Sequence, residues 1–191
     1  KHPALECVIT TDEEIGLLGA KALDTSVLKG THMINMDSEE EGYLWISCAG
    51  GLSGTSRIPV EYQEMEGVVT EVLIDGLNGG HSGAEIDKNR ANANKLMGLF
   101  LYELGQKTAY SIKDLSGGTK DNAITRSCKA TLVLGEEDLE EAKITAEKLQ
   151  KDLRTEYAGS DEGITISVIT GKEETVQALS MVSKEKVVFY L

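Results

Sequence analysis

The segment from about Arg90 to Gln106 carries a continuous apolar stripe, and this stripe constrains the fold more than any other feature of the sequence. Its apolar side chains recur at helical spacing and share one face, namely Ala93, Leu96, Met97, Phe100, Leu101 and Leu104. An apolar face of this size has to be buried against other elements of the fold. The pattern therefore predicts a helix that covers a sheet.

The segments around this helix predict the strands of that sheet. The expected elements are strands at 55–64 and 68–77 joined at Glu66-Gly67, the helix, strands near 110–115 and 127–134, a helix at about 138–156 and a strand at 164–169. The order β-β-α-β-β-α-β predicts an antiparallel sheet with two helices packed on one face, an α+β two-layer domain. The tail from Val176 to Leu191 is predicted to be helical.

The first fifty residues predict a different arrangement, the beginning of an α/β sheet. Strands are expected at 5–10, 33–37 and 43–48, with an acidic turn at 38–42. Thr11 to Glu14 has the S/T-x-x-E form of a capping box and predicts a helix that runs to about Leu28. Glycines from Gly50 to Gly54 then break the pattern. We therefore expect three parts, at residues 1–50, 51–175 and 176–191, and we interpret both ends as boundaries within a longer chain.

Composition excludes several classes of partner. The chain of 191 residues has 32 acidic and 19 basic side chains and a formal charge of −13, which disfavours nucleic acid and anionic lipid surfaces. No apolar stretch approaches the length of a membrane span, and no signal peptide is visible. Three scattered cysteines fit a reducing compartment, which predicts a cytoplasmic protein.

Three carboxylates of the first part are candidates for chemistry. Glu13 and Glu14 lie where a predicted strand meets a helix, and Asp37 ends the next predicted strand, so their oxygens could converge at one edge of a sheet. Adjacent carboxylates could then divide the work, one binding a divalent ion and its neighbour accepting a proton from water. Ordinary structural roles are the alternative, in which Glu14 completes the capping box and Asp37 belongs to an acidic surface turn.

Two polar residues of the second part are also candidates. Glycines flank His81 in Gly79-Gly80-His81-Ser82-Gly83, and glycines allow a backbone and an imidazole to approach a ligand closely. Asn122 lies in a second glycine-containing loop and can both donate and accept hydrogen bonds. Tight turns with exposed polar side chains remain the alternative for both. Neither the Gly79–Gly83 loop nor the segment from Gly50 to Gly54 completes a nucleophile elbow or a phosphate-binding loop, so serine hydrolase and nucleotide-binding functions are disfavoured.

Four of these motifs in this order resemble the M20 metallopeptidases, and among them the cytosolic aminoacyl-histidine dipeptidases. The motifs are Thr10-Thr11-Asp12-Glu13-Glu14-Ile15-Gly16, Asn35-Met36-Asp37-Ser38-Glu39-Glu40-Glu41-Gly42, Gly79-Gly80-His81-Ser82-Gly83-Ala84-Glu85 and Arg90-Ala91-Asn92-Ala93-Asn94. The resemblance implies hydrolysis of Xaa-His dipeptides by a dizinc catalytic α/β domain. It also implies an inserted, ferredoxin-like lid domain that can form a homodimer.

The resemblance also implies roles for individual residues. Glu13 would be the general base, while Glu14 and Asp37 would each be a ligand of one zinc ion. His81 and Asn122 would belong to the lid and reach the scissile carbonyl or the substrate carboxylate.

The sequence departs from the family pattern in ways that limit this implication. The family's metal site also uses two further histidines and a bridging aspartate, to which this chain offers no match, so we expect a fragment with an incomplete metal site and no activity of its own. Ile124-Thr125-Arg126 also replaces the usual Ile-Pro-Arg. A tripeptidase, an acyl-amino-acid deacylase and a non-catalytic dimerisation module remain as alternatives.

Overall fold

The computed structural model describes residues 2–37, 41–48, 50 and 52–191. The chain divides into two compact units, Lys1–Gly51 and Leu52–Leu191. The acidic turn expected at 38–42 lies largely outside the described residues. Among the described residues, no helix is long and apolar enough to cross a bilayer.

The second unit is built on a four-stranded antiparallel sheet with the strand order β3-β5-β1-β6. Its strands are β1 (Tyr62–Asp75), β3 (Tyr110–Gly117), β5 (Cys128–Leu134) and β6 (Thr165–Leu179), and a separate small ladder joins β2 (Gly80–His81) to β4 (Ala123–Ile124). Three helices complete the unit, α2 (Ala93–Gly105), α3 (Leu139–Glu156) and α4 (Met181–Tyr190). The first unit contributes a short α1 (Leu18–Ala22).

One face of this sheet carries the core of the second unit. Alternate residues of the central strands point to this face, as the two-residue period of a strand requires, and are buried: Val72 and Ile74 on β1, and Ala130, Leu132 and Leu134 on β5. The apolar stripes of α2 and α3 cover the same face and form a single cluster with it. The predicted two-layer α+β class, with an antiparallel sheet and two helices on one face, is confirmed.

The prediction of two strands joined at Glu66-Gly67 is wrong, because the single long strand β1 runs through both residues. Residues 55–61 of the first predicted segment are not part of any strand. Gly67 is not a turn residue. A Cβ atom at this position would lie 2.6 Å from the carbonyl oxygen of Leu134, so the glycine allows neighbouring β5 to approach closely. The observed order is therefore β-α-β-β-α-β, apart from the short strands of the small ladder.

The last strand is longer than predicted and leads directly into the last helix. β6 continues to Leu179 and pairs with β1 along nearly its whole length. Ser180 begins α4 as its N-cap, since its side chain accepts a hydrogen bond from the Ser183 N–H. The predicted helical tail is thus confirmed from Met181 onward, while residues 176–179 belong to the sheet.

The strands predicted in the first unit are absent from its described residues. Segments 5–10, 33–37 and 43–48 are exposed and have no ladder partners there. Their apolar composition is that of buried strands, but a strand forms only against neighbours that accept and donate its backbone hydrogen bonds. Large apolar side chains such as Ile9, Met33 and Ile46 consequently remain more than nine-tenths exposed.

The predicted capping box does not form either. The side chain of Thr11 bonds to Asp12, and the N–H groups of Gly16 and Leu17 both donate to the Glu13 carbonyl oxygen in a turn. Gly16 and Leu17 have φ angles of 107° and 60°, which are outside the helical region. The long helix expected up to Leu28 is therefore reduced to α1 and a 3-10 turn at Thr25–Val27.

Two leucines of α2 provide a matched test of this packing. Leu101 is fully buried, whereas Leu99 is 39% exposed on the same helix. We expect Leu101→Ala to lower the free energy of unfolding by about 2–5 kcal/mol, because it leaves a cavity in the core. Leu99→Ala should cost less than about 1 kcal/mol. Urea denaturation of the two variants measures the difference, and equal losses would contradict the assigned orientation of α2.

Candidate functional site

The small ladder of the second unit brings His81 and Asn122 together. His81 pairs with Ala123 and Gly80 pairs with Ile124. The N–H of Ser82, the residue after His81, donates to the carbonyl oxygen of Asn122 itself at 2.9 Å. The two residues that the sequence placed in separate loops thus lie on adjacent backbone segments, and both side chains are exposed.

Hydrogen bonds from its own loop hold the imidazole of His81. Its Nδ1 atom accepts from the N–H groups of Gly83 at 3.0 Å and Ala84 at 3.1 Å. A nitrogen that accepts two hydrogen bonds cannot carry the proton, so the neutral ring is protonated at Nε2. The loop therefore fixes one tautomer and leaves Nε2–H as the donor that the ring can offer to a ligand.

Glu85 fixes the backbone of the same histidine. One of its carboxylate oxygens accepts from the His81 N–H at 2.8 Å, and the other forms ion pairs with Lys88 at 2.9 Å and Arg90 at 3.1 Å. The bond to Lys88, the bond from His81 and the charge of Arg90 lower the pKa of Glu85 to about 2. The carboxylate is thus ionised throughout the range in which a peptidase would operate.

Gly80 is required by the crowding around this carboxylate. Its φ angle is 143°, and a Cβ atom there would lie 2.5 Å from a Glu85 carboxylate oxygen and would also collide with Arg90. The glycines that suggested close approach to a ligand therefore also serve a structural purpose, since they admit the Glu85 and Arg90 side chains beneath the His81 backbone.

The three candidate carboxylates lie in the first unit and are exposed. The Glu13 carbonyl oxygen closes the turn before α1, and Glu14 lies within that turn. The Asp37 N–H donates to the side chain of Asn35 at 3.3 Å. Across the described residues, no group of three or more His, Cys, Asp or Glu side chains is placed to hold a metal ion. Glu14 and Asp37 offer the hard oxygen donors that divalent ions accept, but the described part of the chain does not complete a coordination set around them.

Sequence reasoning assigned no role to several residues that hold the His81 loop, which comprises residues 78–91 between β1 and α2. Glu85 and Arg90 lie inside the quoted motifs, and their charge and spacing around Lys88 could have suggested an ion-pair network. Asp161 lies 80 residues after His81, where no local pattern marks it, yet its buried carboxylate binds both ends of the loop. Only the folded chain shows that contact.

Comparison with known proteins agrees with this architecture. Residues 74–161 match the peptidase dimerisation domain of the M20 family. The chain is 35% identical over 167 residues to the cytosol non-specific dipeptidase of Escherichia coli (strain K12), an alignment that covers 86% of this chain and 34% of that protein. The crystal structure of aminoacylhistidine dipeptidase from Vibrio alginolyticus superposes with a TM-score of 0.70 at 27% identity, covering 94% of this chain and 37% of that one.

These findings define the class of protein. The β-α-β-β-α-β unit that carries His81 has the fold of an M20-type peptidase dimerisation domain, whose family model matches residues 74–161. Through it the chain is a relative of the M20 dipeptidases, and it spans about a third of the length of the relatives that it matches.

The Glu85 carboxylate predicts how the loop responds to acid. The pKa of Glu85 is lowered from 4.5 to about 2. The contribution of its carboxylate to the stability of the loop is therefore fully present above pH 4.5 and is lost as the pH falls through about 2. We expect the His81 backbone N–H to remain hydrogen-bonded down to that pH, as measured by an NMR titration of its amide shift. In Glu85→Gln the change of the His81 amide shift near pH 2 should vanish. Glu147→Gln, on the exposed face of α3, should retain that change. A transition near pH 4.5 in the unmodified chain would contradict the ion-pair geometry.

Proposed function

We propose that this chain is part of a metal-dependent dipeptidase that hydrolyses dipeptides of the Xaa-His type. The observation that carries the proposal is the His81 loop, which presents an Nε2–H donor from a domain related to those of M20 dipeptidases. Both relatives are named as dipeptidases, which supports dipeptides as the substrate class, and the name of the aminoacylhistidine dipeptidase supports the Xaa-His type.

In this proposal His81 stabilises charge that develops on the substrate. When water adds to a peptide carbonyl, negative charge accumulates on the carbonyl oxygen, and a donor already oriented towards that oxygen lowers the barrier. The bonds from Gly83 and Ala84 to Nδ1 orient the ring before substrate arrives, so no reorganisation is needed at the moment of reaction. Asn122, whose carbonyl oxygen anchors Ser82, would contribute its side-chain amide to the substrate carbonyl or carboxylate.

The carboxylates of the first unit would serve a metal centre. Glu14 and Asp37 would each supply an oxygen ligand to one of two zinc ions, and the remaining ligands would come from parts of the complete enzyme outside these 191 residues. Such ions, when bound, act as Lewis acids and make water a stronger nucleophile near neutral pH. Glu13 would accept the proton that the attacking water loses, as its position beside a ligand allows.

Substitution of His81 tests the proposal most sharply in the complete enzyme. We expect His81→Ala to lower kcat on Xaa-His dipeptides by about 10²–10³-fold with a smaller effect on KM, since one oxyanion donor is lost. His32→Ala, which removes an exposed histidine of the first unit, is the matched control and should change little. An unchanged kcat in His81→Ala would refute the role given to this ring. Lack of turnover of every dipeptide by the unmodified enzyme would refute the function.

The chain alone is predicted to be inactive and to bind zinc weakly. Two isolated carboxylate ligands do not make a closed site, so isothermal titration with zinc should give a weak or unresolved signal and no dipeptide should be hydrolysed. Robust turnover by the 191-residue chain would contradict the proposed division of the metal ligands.

Two related functions are separated by direct assays. Parallel assays of the complete enzyme with Xaa-His dipeptides, tripeptides and acyl amino acids distinguish a dipeptidase from a tripeptidase or a deacylase.

The match to a dimerisation domain supports a homodimer formed through the second unit, either alongside catalysis or as the domain's sole function. Sedimentation equilibrium with and without chelator tests this, since a non-catalytic dimerisation module would associate without metal. The name of the Escherichia coli relative supports a cytoplasmic location.

A further inference from the structure

One buried carboxylate closes the loop that carries His81. This loop, residues 78–91, leaves the sheet after β1 and returns to the core just before α2. Asp161 is fully buried, and its carboxylate oxygens accept from the Asn78 N–H at 2.6 Å and the Ala91 N–H at 2.7 Å. A single side chain therefore clamps the first and the last residue of the loop together.

The choice of an ionisable residue at this position is informative. Burial of a carboxylate is unfavourable unless its oxygens are hydrogen-bonded, and an apolar side chain could have filled the same space without that penalty. Hydrogen bonds from N–H groups to a carboxylate are stronger and shorter than neutral ones, as the two observed distances indicate. The contact therefore fixes the positions of the two loop ends in addition to filling space in the core.

Asp161 is itself held in place from outside the loop. Its own N–H donates to the Tyr157 carbonyl oxygen at 2.9 Å, and its carbonyl oxygen accepts from Ile164. The side chain of Asn78 adds a second tie to the same connection, since its amide donates to the Ser160 carbonyl oxygen at 2.5 Å. The clamp thus fixes the loop to the α3–β6 connection, which is anchored in the core through Ile164.

A short series of contacts leads from the clamp to the imidazole. Arg90, next to clamped Ala91, donates to the carbonyl oxygen of Gly79, the residue after clamped Asn78. Arg90 also pairs with Glu85, whose carboxylate accepts from the His81 N–H. A shift of either loop end would displace Arg90 or Gly79, and with them the carboxylate that holds the His81 backbone.

We propose that Asp161 is a positioning residue for His81, because its buried carboxylate clamps both ends of the 78–91 loop and so keeps the ring nitrogen Nδ1 against the Gly83 and Ala84 N–H groups. The inference rests on the proposed function only for its catalytic consequence, since the clamp itself concerns the loop. If Asp161 served packing alone, its isosteric replacement would lower stability without altering the surroundings of the ring.

Amide hydrogen exchange in Asp161→Asn separates these two roles. Asparagine keeps the shape but presents an amide N–H₂ to one of the two N–H donors, so one bond is lost. We expect the Gly83 and Ala84 N–H groups to exchange about tenfold faster, together with Asn78 and Ala91, because one hydrogen bond is removed from the clamp. Leu149→Ala, a truncation in the core face of α3, is the control that lowers stability without touching the loop and should leave local exchange at Gly83 and Ala84 unchanged. Unaltered exchange at these two amides in Asp161→Asn would overturn the proposal.

A double-mutant cycle in the complete enzyme tests the catalytic consequence. Asp161→Asn should lower kcat in the unmodified background and have no further effect in His81→Ala, because it acts through that ring. Additive losses would overturn a positioning role. An unchanged kcat in His81→Ala would instead refute the catalytic role proposed for the ring, and the exchange result would still decide on the clamp. Should Asp161→Asn not fold, exchange at Asn78 and Ala91 in the unmodified chain decides, since an unprotected N–H at either residue would overturn the clamp.

Discussion

Burial of one face of a four-stranded sheet beneath two helices is the constraint on which the second unit depends. The apolar stripe of α2 has no other place to be buried, and it fixes α2 against β1 and β5 with α3 alongside. The connection between β1 and α2 must then bridge a fixed gap, and that connection is the loop with His81. The hydrophobic effect positions the ends of the loop, while hydrogen bonds to carboxylates define its interior.

Within that loop, a hierarchy of contacts fixes the chemistry of one ring. Asp161 ties the loop ends, Glu85 ties the His81 backbone, and two backbone N–H groups select the tautomer. The result is a ring whose free nitrogen, Nε2, is left to donate to a ligand.

The second unit was largely predictable from the sequence, because its elements bury their apolar faces against each other. The periodicity of α2 and the alternation in β5 report contacts that exist within the unit. The exceptions are instructive. Gly67 looks like a turn residue but allows two strands to approach closely, and Asp161 has no local signal because its partners are 70 and 83 residues away.

In the first unit the same reasoning failed, since the apolar segments at 5–10, 33–37 and 43–48 find no strand partners among its described residues. The roles of Glu13, Glu14 and Asp37 stay predictions for the same reason.

The central claim is that the loop selects one tautomer of the His81 ring, in which Nδ1 accepts from the Gly83 and Ala84 N–H groups and Nε2 carries the proton. The ¹⁵N chemical shifts of its two ring nitrogens, measured in the unmodified chain above neutral pH, report this directly. The account predicts an Nδ1 resonance typical of an unprotonated nitrogen and an Nε2 resonance typical of a protonated one, with cross-peaks that place Nδ1 near the Gly83 and Ala84 amides. A proton on Nδ1, or resonances averaged between the two tautomers as in a free imidazole, would contradict it.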